Sequence, residues 1–166
     1  MKRFLALLAG VLVLAAGCTT FDKGPLTPEQ QAQKIERISI VVKNSARDAI
    51  VYGNAKDPVA TQKAALAALK ALDGILGEGD QPDVNPSKIR QVLVDAGLTK
   101  LGSPEAILVI SGLTTTYELF YADVIAGKIG EHQDVVDVVK ALRDGVKQGL
   151  ESVVVPPELP PTPSAE

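Results

Sequence analysis

Four times between residues 27 and 104 of this 166-residue sequence, a residue that caps helices well stands directly before a proline. Proline suits the first position of a helix because the N–H that it lacks would have no partner there. Gln30 also lies three residues after Thr27, in the arrangement of a capping box. The pattern therefore predicts four helix starts, at Thr27-Pro28, Asp57-Pro58, Asn85-Pro86 and Ser103-Pro104.

Apolar residues recur with helical spacing after each start and again near the end of the chain. The predicted helices are Pro28 to about Tyr52, Pro58 to Leu76, Pro86 to Ala96, Pro104 to about Ala126, and about Gln133 to Leu150. In the second helix the expected inward residues are Leu66, Leu69, Leu72 and Leu76. The fourth helix is apolar over more than half of its circumference, which is typical of a central helix.

Two stretches, Ile38 to Val42 and Leu113 to Phe120, are rich in β-branched and aromatic residues, which favour strands. Both lie inside long helical patterns without an internal turn signal, so we expect helix there. A two-stranded α+β fold is the alternative. The predicted fold class is all-α: an antiparallel bundle of four to five helices over residues 27–152. The proline-rich segment 153–166 has too little apolar surface to fold, and we expect it to be a disordered tail.

The N-terminus has the pattern of an export signal. Met1-Lys2-Arg3 is basic, and the run from Phe4 to Gly17 carries no charge. A membrane span needs about 20 apolar residues, so this shorter run is predicted to be a cleaved signal peptide, with a retained span as the alternative. Cys18 is the only cysteine and cannot form an internal disulfide, so it is free, pairs with another chain or is modified.

The stretch Leu14 to Thr20, LAAGCTT, resembles the lipobox of bacterial lipoprotein precursors. The resemblance implies cleavage between Gly17 and Cys18, and lipid on Cys18 that anchors the chain to a membrane through the tether 18–26. One position departs from the family pattern, since Ala15 stands where a leucine-like residue is usual. Thr19, which is not aspartate, implies the outer membrane if the host is Gram-negative. An ordinary secretory signal with an incidental cysteine is the alternative.

Charge excludes some partners. The chain has 17 basic and 20 acidic residues, and loss of Lys2 and Arg3 with the signal leaves 15 and 20, a net charge of −5. Nucleic-acid binding calls for a basic patch or stripe, so no nucleic-acid partner is expected. The same balance argues against electrostatic binding to anionic lipid.

No residue pattern indicates catalysis, a metal or a cofactor. His132 is the only histidine and is expected to be a solvated residue at a helix start. Asp80, Asp83 and Asn85 lack the spacing and the closing glutamate of a calcium loop, and are expected to form an ordinary loop that ends in an N-cap. The serines lack a Gly-x-Ser-x-Gly setting. The chain is therefore predicted not to be an enzyme; a periplasmic enzyme without a recognisable motif is the alternative from another class.

The predicted function is a membrane-anchored, periplasm-facing lipoprotein with a non-catalytic binding or structural role and an unknown protein partner. A lipoprotein of phage or prophage origin is the alternative, acting in host lysis like an outer-membrane spanin, or in phage or conjugation exclusion. Ile40 and Val51 lie opposite the core stripe of the first helix; they are either isolated exposed apolar residues, which are normal, or a candidate partner contact. Gly145 and Gly149 are expected to let the fifth helix pack closely on the fourth; the alternative is that both glycines are exposed and merely tolerated.

Overall fold

The computed structural model describes residues 26–77 and 81–153. The predicted signal peptide, its cleavage site at Gly17 and Cys18, most of the tether, Asp80 and the tail beyond Val153 lie outside these residues. The described chain is helical throughout and contains no strand. Its elements are α1 (Pro28–Lys56), α2 (Pro58–Leu76), α3 (Pro86–Asp95), a 3₁₀ turn (Leu98–Lys100), α4 (Pro104–Ile125) and α5 (His132–Val153). The all-α prediction is confirmed, and the α+β alternative is wrong.

All four cap–proline pairs begin a helix. The side-chain oxygens of Thr27, Asp57, Asn85 and Ser103 accept hydrogen bonds from the N–H three residues later, at 2.9–3.3 Å. The Gln30 side chain in turn accepts from the Thr27 N–H at 3.0 Å, which completes the capping box. α1 continues one turn past its predicted end because nothing stops it before the next cap, Asp57.

The strand-favouring threonines of α4 are accommodated by hydrogen bonds within the helix. The hydroxyls of Thr114, Thr115 and Thr116 each donate to a carbonyl four residues earlier, at 2.8–3.0 Å. Threonine in a helix can satisfy its hydroxyl in this way. Local β propensity is therefore overridden without leaving a polar atom unpaired.

α1, rather than α4, is the central helix. It packs most extensively on α5, and also on α4 and α2. α4 buries one face, which includes Ile110, Leu113, Tyr117 and Phe120, and leaves the other in solvent. The prediction that α4 is central is therefore wrong. Apolar residues surround much of α4, but other helices cover only one of its sides.

α1 and α5 run in the same direction. Gly130, Gly145 and Gly149 of the later segment lie against Ile35, Lys43 and Ile50, in increasing order on both helices. α4 runs the opposite way, because Lys34 pairs with Asp123 at one end of α1 while Gly102 lies against Lys56 at the other. α1 therefore lies antiparallel to α4 and parallel to α5, so the predicted antiparallel packing does not extend to the α1–α5 pair.

Small side chains set the buried face of α2. Leu66 is 60% exposed, so its predicted inward position is wrong, whereas Leu72 is buried and Leu69 and Leu76 are partly buried. The face that packs on the core is turned away from Leu66 and consists of Thr61, Ala64, Ala65, Ala68, Leu72 and Ile75. Alanines on this face allow close helix packing, which the pattern of leucines did not reveal.

Candidate interaction surface

Every exposed residue of α4 is uncharged. They are Pro104, Ile107, Leu108, Ser111, Thr115, Leu119, Ala122 and Ile125, which we call the outer face of α4. Leu119 and Ile125 are 64% and 68% exposed. The exposed positions of α5 carry Asp137, Lys140 and Lys147 instead, as is usual for a solvated helix face. The outer face of α4 is therefore unusual in this molecule.

Helical spacing makes the outer face one continuous stripe. Each of its residues has another member of the face three or four positions away, and residues so spaced are neighbours on a helix. α4 has 22 residues, which at 1.5 Å per residue gives a length of about 33 Å. Single exposed apolar residues are normal on a monomer, but contiguous apolar patches mark interaction sites.

Two of the acidic groups beside this face, Glu118 and Asp123, are paired with bases. Glu118 forms a salt bridge with Arg90 of α3, and Asp123 lies 3.5 Å from Lys34 and 3.4 Å from Lys128.

At the start of α4, Glu105 accepts a 2.7 Å hydrogen bond from the Ser103 hydroxyl. This bond, more than the charge of Lys56 nearby, holds the pKa of Glu105 below its usual value. The edges of the outer face are therefore locally balanced in charge.

Ile40 and Val51 are exposed on α1, by 50% and 38%. Their neighbours on that face include Arg37, Asn44 and Arg47, so they form no continuous apolar stripe. Their role as a partner contact stays a prediction. The outer face of α4 was missed at the sequence level because the apolar circumference of that helix was interpreted as burial. The clustering of uncharged residues at every third or fourth position was the signal that could have identified it.

The described residues that were considered as possible catalytic or metal-binding groups form no such site. His132 is the exposed first residue of α5. Asp83 accepts a 2.6 Å hydrogen bond from the Asn85 side-chain amide, which is the main reason that the pKa of Asp83 is lowered. Asn85 in turn caps α3. Over residues 26–77 and 81–153, no three histidine, cysteine, aspartate or glutamate side chains are grouped as metal ligands would be.

None of the helices in the described ranges has the length and hydropathy needed to span a bilayer. Comparison of the chain with protein-family models, with curated proteins and with solved structures found no match.

Proposed function

We propose that this chain is a lipid-anchored, periplasm-facing lipoprotein whose helical domain has a non-catalytic binding role. The observation that carries the anchor is the lone Cys18, which directly follows an uncharged run and two small residues, Ala16 and Gly17. Two or three acyl chains on one residue would hold the protein at the membrane, because each buried methylene contributes about 0.8 kcal/mol.

The anchor would orient the domain with one end towards the membrane. The tether leads to Leu26, whose carbonyl accepts a hydrogen bond from the side chain of Gln31, and that side chain also accepts from the N–H of Gly130. Asp123, near the end of α4, joins the same end through Lys34. Nine tether residues reach at most about 30 Å, so this end of the bundle would stay near the headgroups, and Val153, the last residue of α5, would lie at the opposite end.

A binding role is supported by the one part of the described surface that differs from an ordinary solvated helix face. That part is the outer face of α4, which is uncharged and mostly apolar. The shifted carboxylates hydrogen-bond to their own neighbours: Asp83 is an exposed loop residue, and Glu105 is a partly buried residue in the first turn of α4. An uncharged exposed face, together with carboxylates that are engaged in local hydrogen bonds, favours a binding role over a role in proton transfer.

Radiolabelled palmitate tests the anchor. We expect the label to enter the full-length chain and not a Cys18→Ser variant, with both expressed in a Gram-negative host. Equal labelling of the two chains would contradict the proposal. Thr19→Asp provides a matched variant: it should still be labelled, but should move from the outer-membrane to the inner-membrane fraction on a density gradient.

A further inference from the structure

We propose that the outer face of α4 binds a second copy of this chain, with the two α4 helices packed antiparallel about a two-fold axis at Thr115. This goes beyond the proposed lipoprotein function and does not depend on it. In a two-fold contact the same surface must complement itself, so that a residue at one position meets its counterpart on the partner.

The outer face meets this requirement through the sizes of its side chains. With the axis at Thr115, Leu108 of one copy lies opposite Ala122 of the other, and Ser111 lies opposite Leu119. Each of these two leucines therefore faces a small side chain, and Thr115 faces its own copy, whereas Ile107 and Ile125 lie towards the edge of the contact, level with Asp123 and Glu105 of the other copy. Alternation of large and small residues lets two helices interdigitate at an ordinary separation of about 8–10 Å.

The absence of charged residues among the exposed positions of α4 also favours contact with a second copy of the chain. The exposed residues of α4, which would meet across the contact, are all uncharged. A buried unpaired charge is strongly destabilising. The paired acids Glu118 and Asp123 stay at the edges. A helix that binds a lipid surface typically carries lysines and arginines beside its apolar face, whereas the α4 residues beside this one are the acids Glu105, Glu118 and Asp123.

The size of the face indicates a reversible dimer. A strip of about 33 Å by about 10 Å has a footprint of roughly 330 Å², within the range of functional apolar patches, about 300–600 Å². α3 widens it, because Arg90 reaches Glu118 and Val94, one turn after Arg90, is also exposed. Interfaces that bury less than about 1,200 Å² in total form weak or transient complexes.

Disulfide trapping in the full-length chain tests the contact. In intact cells that express the full-length chain and are treated with a membrane-permeant mild oxidant, Thr115→Cys should give a covalent dimer, since the two positions coincide at the axis. Ser152→Cys, exposed on α5, is the matched control and should not. The parent chain, which carries only Cys18, shows any dimer that this thiol forms. Absence of a Thr115→Cys dimer above the parent would overturn the proposal, as expected if this face meets lipid or a different protein.

A second set of variants tests the direction of the helices. Two Leu108 positions would be about 21 Å apart in the antiparallel dimer, too far for a disulfide, which needs Cα atoms within about 7 Å. Leu108→Cys alone should therefore stay monomeric, whereas a tagged Leu108→Cys chain should crosslink to an Ala122→Cys chain. Crosslinking of Leu108→Cys to itself would overturn the antiparallel arrangement.

Charge substitution separates this face from the other exposed apolar residues. Leu119→Lys, added to Thr115→Cys, should lower the yield of covalent dimer about tenfold or more, because a lysine would be buried without a partner. The double change Ile40→Lys/Val51→Lys should leave the yield unchanged. Circular dichroism should show the same helicity for both, since all three positions are exposed. Loss of the dimer in the α1 variant alone would overturn the proposal.

Discussion

Gly149 of α5 lies directly on Ile50 of α1, so that a Cβ placed on Gly149 would be 2.7 Å from the Ile50 Cβ. One turn earlier, Gly145 contacts the carbonyl of Lys43, and a Cβ there would be 2.8 Å from that of Ala46. Both glycines are buried. Glycine in a helix is less favourable than alanine by about 1 kcal/mol, and the close approach of α1 and α5 offsets that loss. The expected close packing is confirmed, but the partner is α1 and not α4.

Gly145→Ala and Gly149→Leu should each lower the free energy of unfolding by about 1–3 kcal/mol, because the added atoms overpack the α1–α5 contact. Urea unfolding followed by circular dichroism would measure the change. Gly74→Ala is the matched control, since a Cβ at this position in α2 meets nothing within 4 Å. It should raise stability by about 0.5–1 kcal/mol. A raised urea midpoint for Gly149→Leu would contradict close packing.

The starts of the helices could be predicted because they depend on local chemistry. Thr27 and Asn85 cap their helices by bonds to residues only three positions away. The buried face of a helix depends on distant neighbours and was harder to predict. Leu66 is exposed because alanines meet the core instead, and α4 has an open side because α1 occupies the centre.

The candidate interaction surface illustrates the same limit. A sequence shows that Leu108, Leu119 and Ile125 are apolar and share a side of α4. It does not show whether another helix covers that side. Ile40 was correctly expected to be exposed, because charged residues surround it in the helical pattern, whereas the outer face of α4 has no such marker.

Thr61→Val should stabilise the protein by about 1 kcal/mol. Thr61 is fully buried, beside Gly53 where α1 and α2 meet, and within residues 26–77 and 81–153 its hydroxyl is the buried side-chain group without a hydrogen-bond partner. A buried unsatisfied hydroxyl is costly, and valine replaces it with a methyl group of similar shape. Thermal and urea unfolding would measure the effect. Thr61→Ser keeps the hydroxyl and loses the methyl, so it should destabilise; stabilisation by serine and not by valine would contradict this reasoning.

Tyr117→Phe should destabilise the protein by about 1–2 kcal/mol. The buried Tyr117 hydroxyl donates to the carbonyl of Val84, which fastens the segment before α3 to α4. Phenylalanine would leave that buried carbonyl without its partner. Urea unfolding measures the loss, and hydrogen exchange in residues 84–89 should quicken. Tyr52→Phe, at a half-buried position, should change stability by less than about 0.5 kcal/mol. Equal stabilities of the two variants would show that the Tyr117 bond contributes nothing.

Stability should fall at alkaline pH in part through the same tyrosine. Burial raises the pKa of Tyr117 well above its ordinary value, with smaller contributions from Tyr121 and Asp83. Above about pH 10 the unfolded chain releases this proton while the folded chain keeps it, so the free energy of unfolding decreases by up to about 1.4 kcal/mol per pH unit. Between pH 7 and 9 both states keep the proton, and this group adds no pH dependence. Urea midpoints from pH 9 to 11.5 should therefore fall less steeply for Tyr117→Phe than for the parent or Tyr52→Phe; parallel curves would mean that Tyr117 ionises alike in both states.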